Sequence, residues 1–88
     1  MDAPAEATMI PLYGFLQGDT IGLLVLADEN DTAAVLAQKL QSAARVRVKP
    51  EANMKVIYKG QVIDDGTTVV EAVIQPLDRF DVIKAGAP

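Results

Sequence analysis

The sequence contains no histidine, no cysteine and no tryptophan in its 88 residues. Without cysteine, the chain has no disulfide framework, no thiolate nucleophile and no zinc knuckle. Without histidine, it lacks the side chain that most often performs acid–base chemistry near neutral pH, and a Ser–His–Asp triad is excluded. These absences argue against an enzyme, and we expect no catalytic residue, no metal ligand and no cofactor site in this chain.

Positive charge is also scarce. The chain has 8 Lys and Arg against 12 Asp and Glu, for a formal charge of −4, whereas a nucleic-acid surface needs a concentrated basic patch. No run of about 18 apolar residues is present to span a membrane. No basic residue precedes an apolar run at the N-terminus, as it would in a secretory signal. We therefore expect a cytoplasmic protein that binds neither nucleic acid nor membrane.

Half of the residues are hydrophobic, and their distribution predicts one domain over residues 9–84. The length is just below that of a typical domain and suffices for one core without disulfides. Residues 1–8 and 85–88 are small, polar or proline-containing and have little to bury. We expect these two segments to be flexible ends of the domain.

The first half of the domain is typical of a β-hairpin followed by a helix. Apolar runs over residues 9–16 and 20–27 are separated by a Gly18-Asp19 turn. Gly18 is expected to supply the positive φ at the first central position of a type II′ turn. Apolar residues then recur at helical spacing over residues 33–44, with Asp31 or Thr32 as the N-cap.

The second half of the domain contributes three further strands, over residues 54–59, 61–63 and 79–84. The order of elements predicts an α+β fold with a mixed sheet of four to five strands and one helix across one face. A right-handed crossover makes the third or the last strand parallel to the first. The residues expected beneath the helix are Leu23, Val25, Val56, Phe80 and Val82.

The face of the sheet away from the helix carries more apolar residues than a solvated face needs. The Gly18-Asp19 turn pairs Tyr13 with Leu24 and Phe15 with Gly22. A solvated face alternates apolar and polar residues, so an apolar face of this extent indicates a partner surface. The alternatives are a register slip or an N-terminal segment folded over the face. The candidate partner interface comprises Tyr13, Phe15, Leu24, Leu26, Ile57 and Ile83.

The charged and phenolic groups have simpler structural interpretations than catalytic or metal-binding ones. An acidic pair before Gly66 favours a turn over a Mg²⁺ site. The acidic cluster before the helix fits capping and not the spacing of an EF-hand, and the basic run after the helix fits the helix dipole better than an anion site. A strand tyrosine is expected at the edge of the core rather than in catalysis. In this order, the groups are Asp64 and Asp65; Asp28, Glu29 and Asp31; Arg45, Arg47 and Lys49; and Tyr58.

The second half of the sequence resembles ubiquitin. The matching landmarks are Val56-Ile57-Tyr58, Gly60, residues 63–69, Ile74-Gln75 and residues 80–83, together with Asp31-Thr32 at the start of the helix. The resemblance, over residues 9–84, implies a ubiquitin-like β-grasp fold. A ubiquitin-type modifier needs a C-terminal diglycine, whereas this sequence ends in Gly86-Ala87-Pro88, so we do not expect conjugation.

The first half is similar to the small ubiquitin-like subunit of bacterial multicomponent toluene and related aromatic monooxygenases. The similarity lies in residues 10–15, Asp19, residues 28–32, 36–39, 47–50 and 77–82. In that family the small subunit carries no metal and docks on the large di-iron hydroxylase subunit. The resemblance therefore implies a non-catalytic accessory subunit with the hydroxylase as its partner.

Two other functions are open on the sequence alone. A free-standing ubiquitin-like interaction module would use Ile57 and Ile83, at positions that correspond to the recognition patch of ubiquitin. A small enzyme is disfavoured because histidine and cysteine are absent. Neighbouring genes for a di-iron hydroxylase, a ferredoxin and a reductase would favour the accessory subunit. The apolar face would also let the isolated chain self-associate.

Overall fold

Alternating apolar residues build five strands that form one sheet in the computed structural model, which describes residues 9–85. The elements are β1 (Met9–Leu16), β2 (Gly22–Asp28), α1 (Ala33–Ala43), β3 (Met54–Tyr58), β4 (Gln61–Ile63) and β5 (Arg79–Lys84). The strand order is β2-β1-β5-β3-β4. The last strand, β5, is the one parallel to β1, and the other neighbours are antiparallel. The predicted α+β fold and mixed sheet are confirmed.

The apolar stripe of α1 covers one face of this sheet. Leu36 and Leu40 are fully buried in the stripe, and Phe80 and Val82 are fully buried on the strand beneath it. Leu40 lies directly over Gly14, where an added Cβ would stand 2.9 Å from a Leu40 methyl carbon and 3.0 Å from Phe80 Cζ. Of the residues expected beneath the helix, Val25, Val56, Phe80 and Val82 are buried, and Leu23 is partly buried against the same core.

The predicted hairpin register is confirmed, but the predicted turn is wrong. Tyr13 pairs with Leu24 and Phe15 with Gly22, and no strand pairing continues beyond Gly22 towards the turn. The turn closes when the Asp19 N–H donates to the Leu16 carbonyl, so that Gly18, at φ +94°, is its second central residue. A positive φ there is the requirement of a type II turn, whereas a type II′ turn has it at the first central position.

Thr32, and not Asp31, is the N-cap of α1. The Thr32 hydroxyl accepts a hydrogen bond from the Val35 N–H at 3.3 Å. The Asp31 carboxylate instead accepts from the Asp28 N–H at 2.9 Å and from Lys39 Nζ at 2.6 Å. The helix ends at Ala43, one residue before the predicted end.

The segment between β4 and β5 is fastened to the start of α1. The Ala33 N–H donates to Thr67 and the Val69 N–H to Asp31, while Thr32 and Thr68 form an isolated bridge. Thr68 and Glu71 exchange backbone-to-side-chain hydrogen bonds as a capping box. Val69 and Ile74 of this segment are buried in the core.

The expected flexible ends, residues 1–8 and the last three residues of the chain, lie outside the described residues. Ala85, the first residue of the predicted tail, donates its N–H to the Asn53 carbonyl at 2.9 Å.

Replacing Gly14 by Ala should lower the free energy of unfolding by about 1–3 kcal/mol, because the new Cβ would overpack Leu40 and Phe80. Urea denaturation measures the effect. The matched control is Gly66→Ala, where no atom lies within 4 Å of the added Cβ and φ is not positive. The control should be neutral or slightly stabilising. Equal stabilities of the two variants would contradict the close approach of α1 to β1.

Candidate interaction surface

The six residues predicted as a partner interface share the outer face of the sheet but do not form one continuous patch. Tyr13, Leu24 and Leu26 lie on β1 and β2 and are 45%, 57% and 53% exposed. Ile57 and Ile83 lie on β3 and β5, where Ile57 is half-buried and Ile83 is 36% exposed. Phe15 stands between the two groups and is half-buried.

The charged side chains of Arg79 and Asp81, together with Phe15, form a cluster. This cluster separates the exposed residues of β1 and β2 from Ile57 and Ile83. The Arg79 guanidinium lies 4.0 Å from the centroid of the Phe15 ring. Its Nε and Nη2 atoms donate to the two Asp81 carboxylate oxygens at 2.9 and 3.2 Å, and this hydrogen bonding raises the pKa of Arg79. The Phe15 ring is therefore covered by a cation–π contact and is not free apolar surface.

Gly22 gives the Phe15 ring its position. A Cβ at Gly22 would lie 2.5 Å from Phe15 Cζ, so the ring rests on the strand backbone at the point where β2 has no side chain. The parallel register that pairs Tyr13 with Arg79 and Phe15 with Asp81 then brings the guanidinium over the ring. The sequence did not reveal this cluster, because the β1–β5 register depends on contacts between segments far apart in the chain.

The exposed apolar residues of the hairpin form a patch that we call the hairpin patch, defined as Met9, Tyr13, Leu24 and Leu26. Met9 shares its face with Tyr13 because the two are separated by an even number of positions on β1. Leu77 adjoins the patch, since its N–H donates to the Pro11 carbonyl at 2.6 Å, and Pro11 pairs with Leu26. Leu77 is exposed and has φ +68°, and no sequence pattern pointed to it.

Three of the five carboxylates considered as metal ligands, those of Asp28, Asp31 and Asp65, have side-chain partners within the chain. Asp65 pairs with Lys55, and the Asp64 carbonyl accepts from Thr67 within the turn. The Asp28 carboxylate accepts from the Asn30 N–H, and Asp31 bonds as described above. Within residues 9–85, no group of three such side chains is arranged to hold a metal ion.

Two residues of the basic run after α1, Arg45 and Arg47, make contacts within the chain. Arg45 Nη1 donates to the Ser42 carbonyl at 2.8 Å, which satisfies one of the last carbonyls of the helix. Arg47 donates to both Asp19 carboxylate oxygens, at 2.9 and 3.0 Å. This pairing lowers the pKa of Asp19 and raises that of Arg47, so the run ties the hairpin turn to the end of the helix.

Tyr58 packs at the edge of the core, as predicted, with 7% of its surface exposed. Its hydroxyl donates to Asp78 Oδ2, which also accepts from the Gln75 N–H at 2.9 Å. Burial, together with the hydrogen bond to Asp78, raises the pKa of Tyr58 to about 12. The same hydrogen bond lowers the pKa of Asp78. The pair therefore holds the loop before β5 rather than presenting a reactive group.

No helix within residues 9–85 is long and apolar enough to cross a membrane. The one helix in this described part of the chain, α1, has 11 residues.

Comparison with known proteins identifies one family that matches the chain and many solved structures that resemble it. The family described as Toluene-4-monooxygenase system protein B (TmoB) matches residues 9–83. No curated protein sequence matches the chain.

Solved structures with a similar fold include a chain of the toluene 4-monooxygenase HD complex with the inhibitor 4-bromobenzoate. That chain is 23% identical, with a TM-score of 0.81 over 88% of this chain and 99% of its own length. Ubiquitin of Caldiarchaeum subterraneum is 17% identical, with a TM-score of 0.74 over 91% and 98%. A ubiquitin-like domain of Arabidopsis thaliana is 18% identical, with a TM-score of 0.74 over 99% and 88%. These structures confirm the predicted ubiquitin-like β-grasp fold.

Replacing Tyr58 by Phe should lower the free energy of unfolding at neutral pH by about 1–2 kcal/mol, because Asp78 loses a hydrogen bond from a buried donor. The substitution should also change how the free energy of unfolding falls at alkaline pH. Folding raises the pKa of Tyr58 from 10.0 to about 12, so the stabilisation is complete below the lower value and is lost as pH rises to the higher one.

Urea denaturation across this pH window checks the prediction. The stability of the wild-type chain should fall more steeply than that of Tyr58→Phe, which has no buried phenol at this position to ionise. The control Tyr13→Phe alters the other, half-exposed tyrosine and should retain the wild-type slope. Identical slopes for the wild type and Tyr58→Phe would contradict the assignment.

Proposed function

The chain belongs to the toluene-4-monooxygenase system protein B family, and from this premise we propose that it docks on the large di-iron hydroxylase subunit of a toluene-type monooxygenase. As a member of this family it is an accessory subunit of a monooxygenase system. The family match reaches from the start of β1 into β5 and so includes every element of the sheet. The proposal concerns the partner and the surface that binds it.

The observation that carries the proposal is the hairpin patch. Its four residues are each about half exposed on a sheet face where polar residues would be expected. Burying the exposed half of each large side chain would contribute on the order of 1 kcal/mol. A contiguous apolar patch of this kind is typical of a protein–protein interface.

The hairpin patch is a better docking surface than the region around Ile57 and Ile83. Ile57 is already half-buried, and Ile83, at 36%, is less exposed than each of the four residues of the hairpin patch. Both residues lie on the far side of the Arg79–Asp81 ion pair, whose desolvation by a partner is unfavourable. This difference favours docking through the hairpin over a free-standing module that would use the two isoleucines.

The chemistry of the chain supports a non-catalytic role. Histidine and cysteine are absent from the sequence, and the buried phenol of Tyr58 stays protonated well above neutral pH. We therefore assign oxygen activation and substrate turnover to the hydroxylase and the positioning or stabilisation of that subunit to this chain.

Affinity-tagged protein, expressed at native level in its own cells, should co-purify with the large hydroxylase subunit, identified by mass spectrometry. The apolar patch supplies the physical reason, because it loses contact with water on docking. A mock purification from untagged cells controls for adventitious capture. Recovery of the chain without the hydroxylase would refute the proposed partner.

Leu24→Asp should weaken the complex by about 1.5–3 kcal/mol, which is roughly tenfold or more in Kd, while the isolated domain keeps its stability. The matched control is Val46→Asp, since Val46 is 81% exposed and lies after the end of α1. Titration of each variant against the hydroxylase measures the effect, and circular dichroism checks the fold. Equal losses in both variants, or unfolding of Leu24→Asp alone, would contradict the assigned surface.

A further inference from the structure

Strand β2 is an edge of the sheet, with β1 as its only neighbour within residues 9–85. Alternate residues of an edge strand direct their backbone N–H and C=O groups away from the sheet. The Tyr13 N–H donates to Asp78 beside β5, so the neighbouring residues of β1, including Leu12, face β2. Val25, the partner of Leu12, therefore faces inward, and the even-numbered residues of β2 face outward.

Two side chains already occupy one end of this outer edge. Lys39 Nζ donates to the Leu26 carbonyl at 3.0 Å, and the Asp31 carboxylate accepts from the Asp28 N–H at 2.9 Å. Both contacts confirm that these backbone groups point outward. The N–H and C=O of Leu24 and the N–H of Leu26 have no partner within residues 9–85.

A shallow groove runs beside this edge, between β2 and α1. Its lining residues are Leu24, Val25, Leu26, Lys39, Ser42 and Ala43. The three helical residues are spaced i, i+3 and i+4, so they lie on one side of α1. The small side chains of Ser42 and Ala43 leave space between the helix and the strand.

We propose that this open edge takes an extended segment of the partner subunit as a sixth strand beside β2, an inference that rests on the proposed function. Open main-chain donors and acceptors in a row recognise an extended backbone, because only that geometry pairs with them repeatedly. The groove and the exposed side chains of Leu24 and Leu26 accept alternating apolar residues of the segment.

The charges beside the groove define the segment further. Lys39 stands on its wall, and Arg45 is exposed next to Ser42, with one guanidinium nitrogen on the Ser42 carbonyl. Lys39 is already paired with Asp31, so Arg45 is the cation that favours a carboxylate at an end of the incoming segment.

The test compares Leu24→Pro with Leu24→Ala in titrations against the large hydroxylase subunit. Both variants truncate the side chain, but only proline removes the outward N–H. Proline is tolerated on an edge strand where its nitrogen faces away from the sheet, so the fold should be kept. We expect Leu24→Pro to bind about tenfold more weakly than Leu24→Ala, as the loss of one main-chain hydrogen bond predicts.

Amide hydrogen exchange of the wild-type chain gives a second measurement that needs no variant. In the free protein the Leu24 and Leu26 amides should exchange rapidly and the Val25 and Ala27 amides slowly, because only the latter two bond to β1. In the complex, the Leu24 and Leu26 amides should also become protected. This pattern supports strand addition even if Leu24→Pro fails to fold.

The outcomes separate the two proposals. If the wild-type chain binds the hydroxylase but Leu24→Pro and Leu24→Ala bind equally, strand addition is wrong and the proposed function stands. If the wild-type chain does not bind the hydroxylase, the proposed function fails and the inference fails with it. Protection of the Leu24 amide in the free monomer, or a dimer that protects it, would show that the chain itself or a second copy fills the edge and would also overturn the inference.

Discussion

The close approach of α1 to β1 at Gly14 is the contact on which the arrangement of the molecule depends. Leu40 reaches the sheet there because Gly14 has no side chain, and Phe80 fills the space beside it. A single short helix can cover the inner face only at this distance, and it does so with Leu36, Leu40 and small alanines. No second helix within residues 9–85 covers the outer face. The outer face of the sheet is therefore available for contact with another molecule.

The loop before β5 connects the packing of α1 on the inner face with the positions of side chains on the outer face. Its hydrogen bonds to the start of α1 and the Tyr58–Asp78 pair set the residue at which β5 begins. That start places Arg79 beside Tyr13 and over Phe15, where it pairs with Asp81. The register of β5 thus places the Arg79–Asp81 ion pair between the exposed apolar residues of the hairpin and Ile57. The apolar surface that remains accessible on the outer face is thereby reduced to the β1–β2 hairpin and the free edge of β2.

Much of the fold was predictable from the sequence because its signals are local. The bounds of β1, β4 and β5, the pairing of Tyr13 with Leu24 and the burial of Tyr58 all follow from apolar alternation and nearby turns. The turn type was not, because the loop tightens through the Asp19 N–H and Leu16 carbonyl before the strands meet. Nor was the N-cap decided, since both Asp31 and Thr32 have suitable oxygens, and the contacts of Asp31 with Lys39 and the Asp28 N–H distinguish them.

The placement of the six predicted side chains on one face was predictable from the sequence, but their division into two groups was not. Period-two alternation places all six side chains on one face. The cation over Phe15 requires the parallel β1–β5 register, and the exposure of Leu77 requires a left-handed backbone in the preceding loop. Both depend on residues far apart in sequence, for which local spacing carries no information.

The ion pair of Lys39 and Asp31 has a consequence for the behaviour of the chain at high concentration. An entirely open edge strand with exposed leucines invites stacking of one molecule on the next without limit. Here the carbonyl of Leu26 and the N–H of Asp28 are already occupied by these two side chains. Only a few residues of edge remain, too few for a long strand to add along the whole of β2. These two side chains shorten the open part of the edge, which should disfavour fibrous assembly at high concentration.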